Sequence, residues 1–289
     1  MSSEPLISVV IPSYNHSQYI GQAIDSVFKQ TYKNLELIVI DDGSSDNSVQ
    51  VIKSALRRPP KKCKVQFISR PNKGAHHTIN EGLELATGDY LTILNSDDYY
   101  HKSRLSILSK KLKKRQPGLV MSYVHHIDTE GKPLSVKHPM REWYQASLSK
   151  KLPSVGFRIL DSNIAVTTGN LMFTRTLYDK IGGFKDFMLC HDYDFLLRSL
   201  FYAEPVLVKK PLINYRSHSA NTVTVFAHMA TSETPQVAFN YFKECIFNTQ
   251  PENKMAPCKA YWKKDFEKFW EQSSWIKDWI GGSNPLDFL

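Results

Sequence analysis

Four short runs of apolar and β-branched residues, separated by segments with helical spacing, constrain this chain more than any other feature. Leu6 to Ile11, Leu35 to Ile40, Lys64 to Ser69 and Tyr90 to Leu94 read as strands. The first two are largely apolar throughout, as strands covered on both faces are. Between them, Ser17 to Gln30 sets Tyr19/Ile20, Ala23/Ile24 and Val27/Phe28 at helical spacing, and Asn47 to Leu56 and Ala75 to Leu85 continue the alternation. Strand and helix in turn predict an α/β fold with a mostly parallel central sheet flanked by helices.

The second half is less regular. Ser103 to Arg115 reads as a basic helix, Leu119 to His126 as a strand, Pro133 to Val155 as a loop with a short helix, Thr167 to Thr174 and Val206 to Ile213 as strands, and Asp192 to Tyr202 as a helix. The length of 289 residues suits one large domain, or one plus an appendage. A boundary is expected near Val223. It leaves a domain of residues 1–222 and an aromatic, helical extension of 223–289 that holds four of the five tryptophans.

No run approaches the ~18 apolar residues of a membrane span, and Met1 to Pro5 lacks the basic and apolar regions of a signal peptide. The expectation is a cytoplasmic protein. Its four cysteines have no metal-ligand spacing and are expected to be free thiols.

The net charge is +9, and the excess lies before the extension. Lys53 to Lys73 holds eight basic residues and no acid, and Lys102 to Arg115 holds seven and none. Such runs are solvated faces or a field for an anionic ligand. Neither carries the interleaved aromatics or the recognised module of a nucleic-acid binder, so no nucleic-acid partner is expected.

In open α/β sheets ligands bind at the carboxyl ends of the strands. Here the first strand is followed by Pro12-Ser13-Tyr14-Asn15, the second by Asp41-Asp42-Gly43-Ser44 and the fourth by Asn95-Ser96-Asp97-Asp98. Three polar clusters on one sheet edge define a site. The first turn has no G-x-G-x-x-G and no P-loop, which argues against a dinucleotide enzyme and a P-loop NTPase. A diphosphate bound without a glycine loop calls for a divalent cation and carboxylate oxygens, and Asp97 and Asp98 offer them.

The ordered motifs IPSYN, VIDDGSSD, NKG, NEGLELATGDYLTILNSDD and HDYDFLLR resemble those of an inverting family 2 glycosyltransferase with the GT-A nucleotide-diphospho-sugar transferase fold. The similarity runs over about residues 5–221. It implies that Pro12, Tyr14, Asn15, Asp41 and Asp42 hold the nucleotide, with Tyr14 stacking on the base unless it is a core aromatic. Arg70 and Lys73 stand where donor contacts are common, and either is equally a solvated charge. The family's D-x-D metal motif reads Asn95-Ser96-Asp97 here. Asn95 and Ser96 then contact the donor, Asp97 ligates Mn2+ or Mg2+, and Asp98 caps the next helix or orients Asp97.

The resemblance further assigns Asp192 as the catalytic base. His191 replaces the usual acid beside it, as an acceptor contact or a satisfied histidine. Asn170 matches the acceptor loop. Tyr215 to Asn221 matches a segment over the diphosphate, in which Arg216 neutralises the leaving group and His218 ligates the metal. The paired histidines 76/77 and 125/126 read as surface or supporting residues.

In the extension, Trp262, Phe266, Phe269, Trp270, Ser273, Ile276 and Ile280 lie near one helical face. That face docks on its own domain, makes a homodimer, or touches the inner face of the membrane peripherally. The reading that follows is a metal-dependent inverting glycosyltransferase. It uses a nucleotide-diphospho-sugar, taken as a UDP-sugar, and acts on a hydroxyl of a glycan or lipid-linked glycan. The rivals are a sugar-nucleotide nucleotidyltransferase, which wants a basic glycine loop after the first strand, and a non-catalytic nucleotide- or carbohydrate-binding module, which has no use for Asp192.

Overall fold

A computed structural model describes residues 4–247 and 250–272. The chain runs β1 (Ile7–Ser13), α1 (Ile20–Phe28), β2 (Leu35–Asp41), α2 (Ser48–Ala55), β3 (Cys63–Ser69), α3 (Ala75–Leu85) and β4 (Tyr90–Ile93). It continues through β5 (Tyr99–Tyr100), α4 (Arg104–Leu112), β6 (Leu119–Ile127), α5 (Pro139–Ser149), α6 (Val155–Asp161), β7 (Met172–Thr174), α7 (Arg175–Ile181), α8 (His191–Ser199) and β8 (Val206–Arg216). Three helices close it: α9 (Thr222–Val225), α10 (Ala230–Phe247) and α11 (Lys259–Gln272).

One sheet holds all eight strands in the order β3-β2-β1-β4-β7-β6-β8-β5. The first four are parallel, with Ile7 opposite both Leu35 and Tyr90. β7 is antiparallel to both of its neighbours, and β5 is antiparallel to β8. Because β1, β2 and β4 point the same way, the loops that follow them meet on one edge. From β1 the chain winds outward through β2 to β3, then crosses back to lay β4 on the other side of β1. That divergence is the switch point where such sheets open a crevice.

One detail departs from the sequence reading. The strand expected over 167–174 is reduced to β7, because Thr168–Asn170 forms a 3-10 turn in which the Thr167 hydroxyl accepts from Gly169 N. The short helix expected within 133–155 is α5, with Pro139 at its first position, where no N–H is needed, and the His138 ring accepting from Met140 N.

Two apolar clusters lie on the two faces of the sheet. One joins β1 and β2 to α1 and α4 through Val9, Ile11, Ile24, Leu37 and Leu105. The other joins Ile38, Phe157, Phe173 and Phe195 to Tyr241, Phe242, Phe266, Phe269 and Trp270 of α10 and α11. Phe242 meets Trp270 edge to face at 4.8 Å, and Phe157 meets Trp262 at 5.1 Å. The described part of the extension therefore packs into the core of the residues before it. Ser273, Ile276 and Ile280 lie outside the described residues. All four cysteines are free and buried. Among the described residues no helix is long and apolar enough to cross a membrane.

Candidate active site

The loops after β1 and β2 are stitched together. Asn15, at φ 53, accepts from Ser45 N at 2.8 Å and donates its own N–H to Ser44 Oγ at 2.9 Å. Gly43, at φ +78, is required, since a Cβ there would sit 2.8 Å from Asn72 N. Asp42 is consumed by its surroundings: it accepts from Lys73 N, Gly74 N and the Arg70 guanidinium. Arg70 also donates to Glu81 and Thr78. Asp42 and Arg70 thus pair with each other and with their neighbours and frame the loop.

Three groups beside that frame stay open. Asp41 Oδ2 accepts from Ser44 N and Ser69 Oγ, whereas its buried Oδ1 has no partner. Tyr14 is 50% exposed, which excludes the core-aromatic reading. Lys73 presents its ammonium to solvent, 3.7 Å from Glu81. Pro12 lies in β1 opposite Ile40 and fixes the exit of the strand.

The turn after β4 is more deeply built. Asn95 Nδ2 donates to Thr167 Oγ1 at 2.9 Å. Ser96 is buried and its hydroxyl bonds His16 Nδ1 at 2.7 Å, which holds that ring. Asp98 caps no helix. It accepts from Arg216 N and Thr167 Oγ1, and burial together with the charge of Asp97 raises its pKa well above the usual carboxylate range.

Arg216 is 2% exposed and spends its guanidinium on the carbonyls of Asp97, Asp128 and Thr129 and on Gln22 Oε1. It lies over the Tyr19 ring at 4.6 Å. Through this pairing Arg216 braces the Asp97 turn.

His218 Nε2 lies 3.0 Å from Asp97 Oδ2, and Asn221 Nδ2 lies 3.3 Å from the same oxygen. Burial opposes ionisation of Asp97, but the His218 hydrogen bond and the nearby imidazoles hold its pKa below the usual value. His16 joins the pair. One ligating atom from each of His16, Asp97 and His218 lies within 4.8 Å of the others. Two imidazoles and a carboxylate at that spacing fit a divalent cation. His16 stands one residue past the IPSYN motif, and that adjacency was the only sign of its role in the sequence.

The third part of the site forms at the start of α8. Asp192 lies in its first turn, where the helix dipole favours a carboxylate. Burial nevertheless raises its pKa, against the pull of His191 and the Asn163 amide, which contacts both oxygens. His191 Nε2 bonds Thr168 Oγ1 at 3.1 Å, and its Nδ1 is buried without a partner. Thr167 reaches Asn95 and Asp98, so the two adjacent threonines tie the β4 turn to α8. Val166, at φ 70, takes a left-handed conformation rare for a β-branched residue just before them.

Asn170 is fully buried, and its amide bonds Ser122, Ala165 and Arg104. Asp194 pairs with Arg198, as a structural residue does. Of the paired histidines, His126 is buried rather than superficial, and burial lowers its pKa to about 4.

Nothing in the sequence pointed to Asn163 or to Glu233. From the first turn of α10, Glu233 accepts from the backbone N–H groups of Met188, Leu189 and Cys190, at 3.0, 2.9 and 2.9 Å. It clamps the strand of loop that leads into Asp192.

This sheet, with polar loops gathered at its switch point and a buried carboxylate at the mouth of α8, defines a glycosyltransferase fold of the GT-A type. A family model described as glycosyl transferase family 2 matches residues 8–185, and the chain belongs to that family. An uncharacterized glycosyltransferase of Rickettsia typhi is 32% identical over 221 residues, 75% of this chain and 66% of that protein. A chondroitin synthase of Pasteurella multocida is 30% identical over 156 residues, 54% of this chain and 16% of that one. The chain thus spans just under two thirds of the Rickettsia relative's length. Among solved structures, S. aureus TarS 1-349 in complex with UDP-GlcNAc is similar with a TM-score of 0.66 at 18% identity, covering 96% of this chain and 79% of that one. The mannosyltransferase PcManGT of Pyrobaculum calidifontis, in complex with GDP-Man and Mn2+, gives 0.61 at 18% identity, covering 98% and 78%.

Proposed function

We propose that this chain moves a glycosyl group from a UDP-sugar to a hydroxyl of a glycan, free or lipid-linked, with inversion at the anomeric carbon. The observation that carries the reading is Asp192. A buried carboxylate with a raised pKa, backed by unpaired polar atoms of Asn163 and His191, is a base awaiting a hydroxyl-bearing ligand.

Asp192 takes the acceptor hydroxyl proton as that oxygen attacks the anomeric carbon. The bond from that carbon to the diphosphate oxygen breaks, and the nucleotide leaves with the electron pair. One displacement gives inversion, and no second carboxylate is required. A base accepts protons best when its pKa is lifted toward working pH, which burial does here.

Uracil suits the nucleotide pocket. Asp41 offers one free oxygen, a match for the single imide N–H of uracil, whereas the edge of guanine carries two adjacent donor groups. Tyr14 supplies the stacking face. TarS, which is seen with UDP-GlcNAc, and PcManGT, which is seen with GDP-Man and Mn2+, support nucleotide-sugar use on this fold. Asp97 and His218 are the residues that would hold Mn2+ or Mg2+. A divalent cation supplies, when bound, positive charge for the leaving diphosphate.

The described part of the extension, up to Gln272, serves its own domain in this reading. Trp262, Phe266, Phe269 and Trp270 pack inward and are not left for a second subunit or a lipid surface. The test is incubation with a panel of nucleotide-sugars and glycan acceptors, with the product anomer read by NMR. Transfer from UDP-sugars with inversion is expected. A retained anomer, or no transfer from any donor, would overturn the reading.

A further inference from the structure

We propose that His16 is a third protein ligand of the cation, so that this chain loads a borderline transition-metal ion before any nucleotide arrives and discriminates against Mg2+. The proposal rests on the reading of Asp97 and His218 as cation ligands, and extends it to a residue outside the motifs.

The three side chains come from three separate loops, after β1, β4 and β8, and each is braced. Ser96 holds the His16 ring through Nδ1 at 2.7 Å. Asn221 Nδ2 lies 3.3 Å from Asp97 Oδ2, and the Arg216 Nε donates to the Asp97 carbonyl at 2.8 Å. The His218 N–H donates to Asn221 Oδ1, and its ring packs 5.3 Å from that of Tyr19. The two imidazoles stand nearly perpendicular, at 89° with centroids 5.7 Å apart. Outer partners that orient ligands in this way are characteristic of metal sites. Among the described residues, this is the one group of three or more His, Cys, Asp or Glu side chains with metal-ligand spacing.

The donor set decides which ion is preferred. Mg2+ asks for six oxygens and keeps most of its waters, so a site with a single carboxylate leans on the diphosphate of its ligand. Two imidazole nitrogens and one carboxylate oxygen instead suit Fe2+, Co2+ or Zn2+, and Mn2+, the weakest binder of that series, is the most demanding probe against Mg2+. Three fixed ligands also need no help from a nucleotide to define a coordination face.

The experiment uses the full chain without nucleotide. Mn2+ is titrated and the free ion followed by its EPR signal, with Mg2+ as competitor, and electron spin-echo spectroscopy counts the coordinated imidazoles. One Mn2+ per chain, two imidazoles, and retention of Mn2+ in excess Mg2+ are expected. His16→Asn should weaken Mn2+ binding by at least about 10-fold, since even outer partners of a ligand are worth 10–100-fold. No binding without nucleotide, a single imidazole, ready displacement by Mg2+, or unchanged affinity in His16→Asn would each overturn the proposal. If His16→Asn does not fold, the imidazole count in the unaltered chain decides. Metal-dependent transfer in a chain that binds no Mn2+ alone would overturn this proposal and leave the Asp97–His218 reading standing. Transfer indifferent to chelation would overturn both.

Discussion

The amide nitrogen of Asn163 lies 3.3 Å from each carboxylate oxygen of Asp192. The other end of that amide, Oδ1, is buried without a partner, as is His191 Nδ1. A buried polar atom left unpaired costs about 1–3 kcal/mol. A ligand hydroxyl that reached either atom would offset that cost.

Asp192→Asn keeps the size of the side chain and cannot take a proton. Transfer is expected to fall by about 10²–10⁴-fold, the usual worth of a general base, while donor affinity measured by calorimetry stays within error. The same variant should melt higher at neutral pH. The fold disfavours the ionised form of Asp192, so the parent carries a penalty at pH values above its raised pKa. That penalty vanishes once both folded and unfolded states are protonated, below about pH 4. The difference in melting temperature should therefore shrink to nothing as acid is added.

Asn163→Ala removes a bond that favours ionised Asp192, so the pKa of the base should climb further. The acid limb of the pH–rate profile is expected to move to higher pH, with turnover recovering as pH rises. An unshifted limb with a uniformly lower rate would assign Asn163 to the acceptor alone.

Arg216→Ala strips the partners from three backbone carbonyls and one amide oxygen. A loss of at least about 2–3 kcal/mol is expected by denaturant titration, as for any buried polar group left unpaired. Arg216→Lys should rescue little of it, because a point ammonium cannot reproduce the guanidinium fork.

Trp270→Ala should cost about 3–5 kcal/mol, the range for an aromatic removed from a core, since Trp270 is packed on Phe242. Glu233→Ala should slow turnover while leaving the KM for the donor unchanged, because its three bonds fix only the loop entering α8. Steady-state kinetics on both substrates distinguishes these outcomes.

The parallel half of the sheet was legible because strands covered on both faces must be apolar, and the loops after them then fall on one edge whatever their content. Allocation of hydrogen bonds was not legible. Arg70 and Arg216 look like phosphate ligands in a motif, yet each is used up by carboxylates or carbonyls that approach only in three dimensions. Asn170 reads as a pocket residue and is a buried brace, because Ser122 and Arg104 arrive from other elements. The left-handed Val166 was invisible, since β-branched residues disfavour that conformation and local pattern gives no reason to expect it. His16 follows directly on the IPSYN motif, and nothing in the local pattern distinguishes it from an ordinary loop histidine.

The clamp from Glu233 has a consequence for how the molecule becomes active during synthesis. The strands, the cation ligands and Asp192 all precede residue 222, and on a ribosome they emerge first. Three N–H groups ahead of Asp192 nevertheless wait for a carboxylate that is made later, on a helix whose apolar face must first find Phe201 and the rest of the core. A nascent chain stopped before α10 holds Asp192 behind an unfastened loop. The surroundings of Asp192 are thus completed by the extension rather than by the motifs.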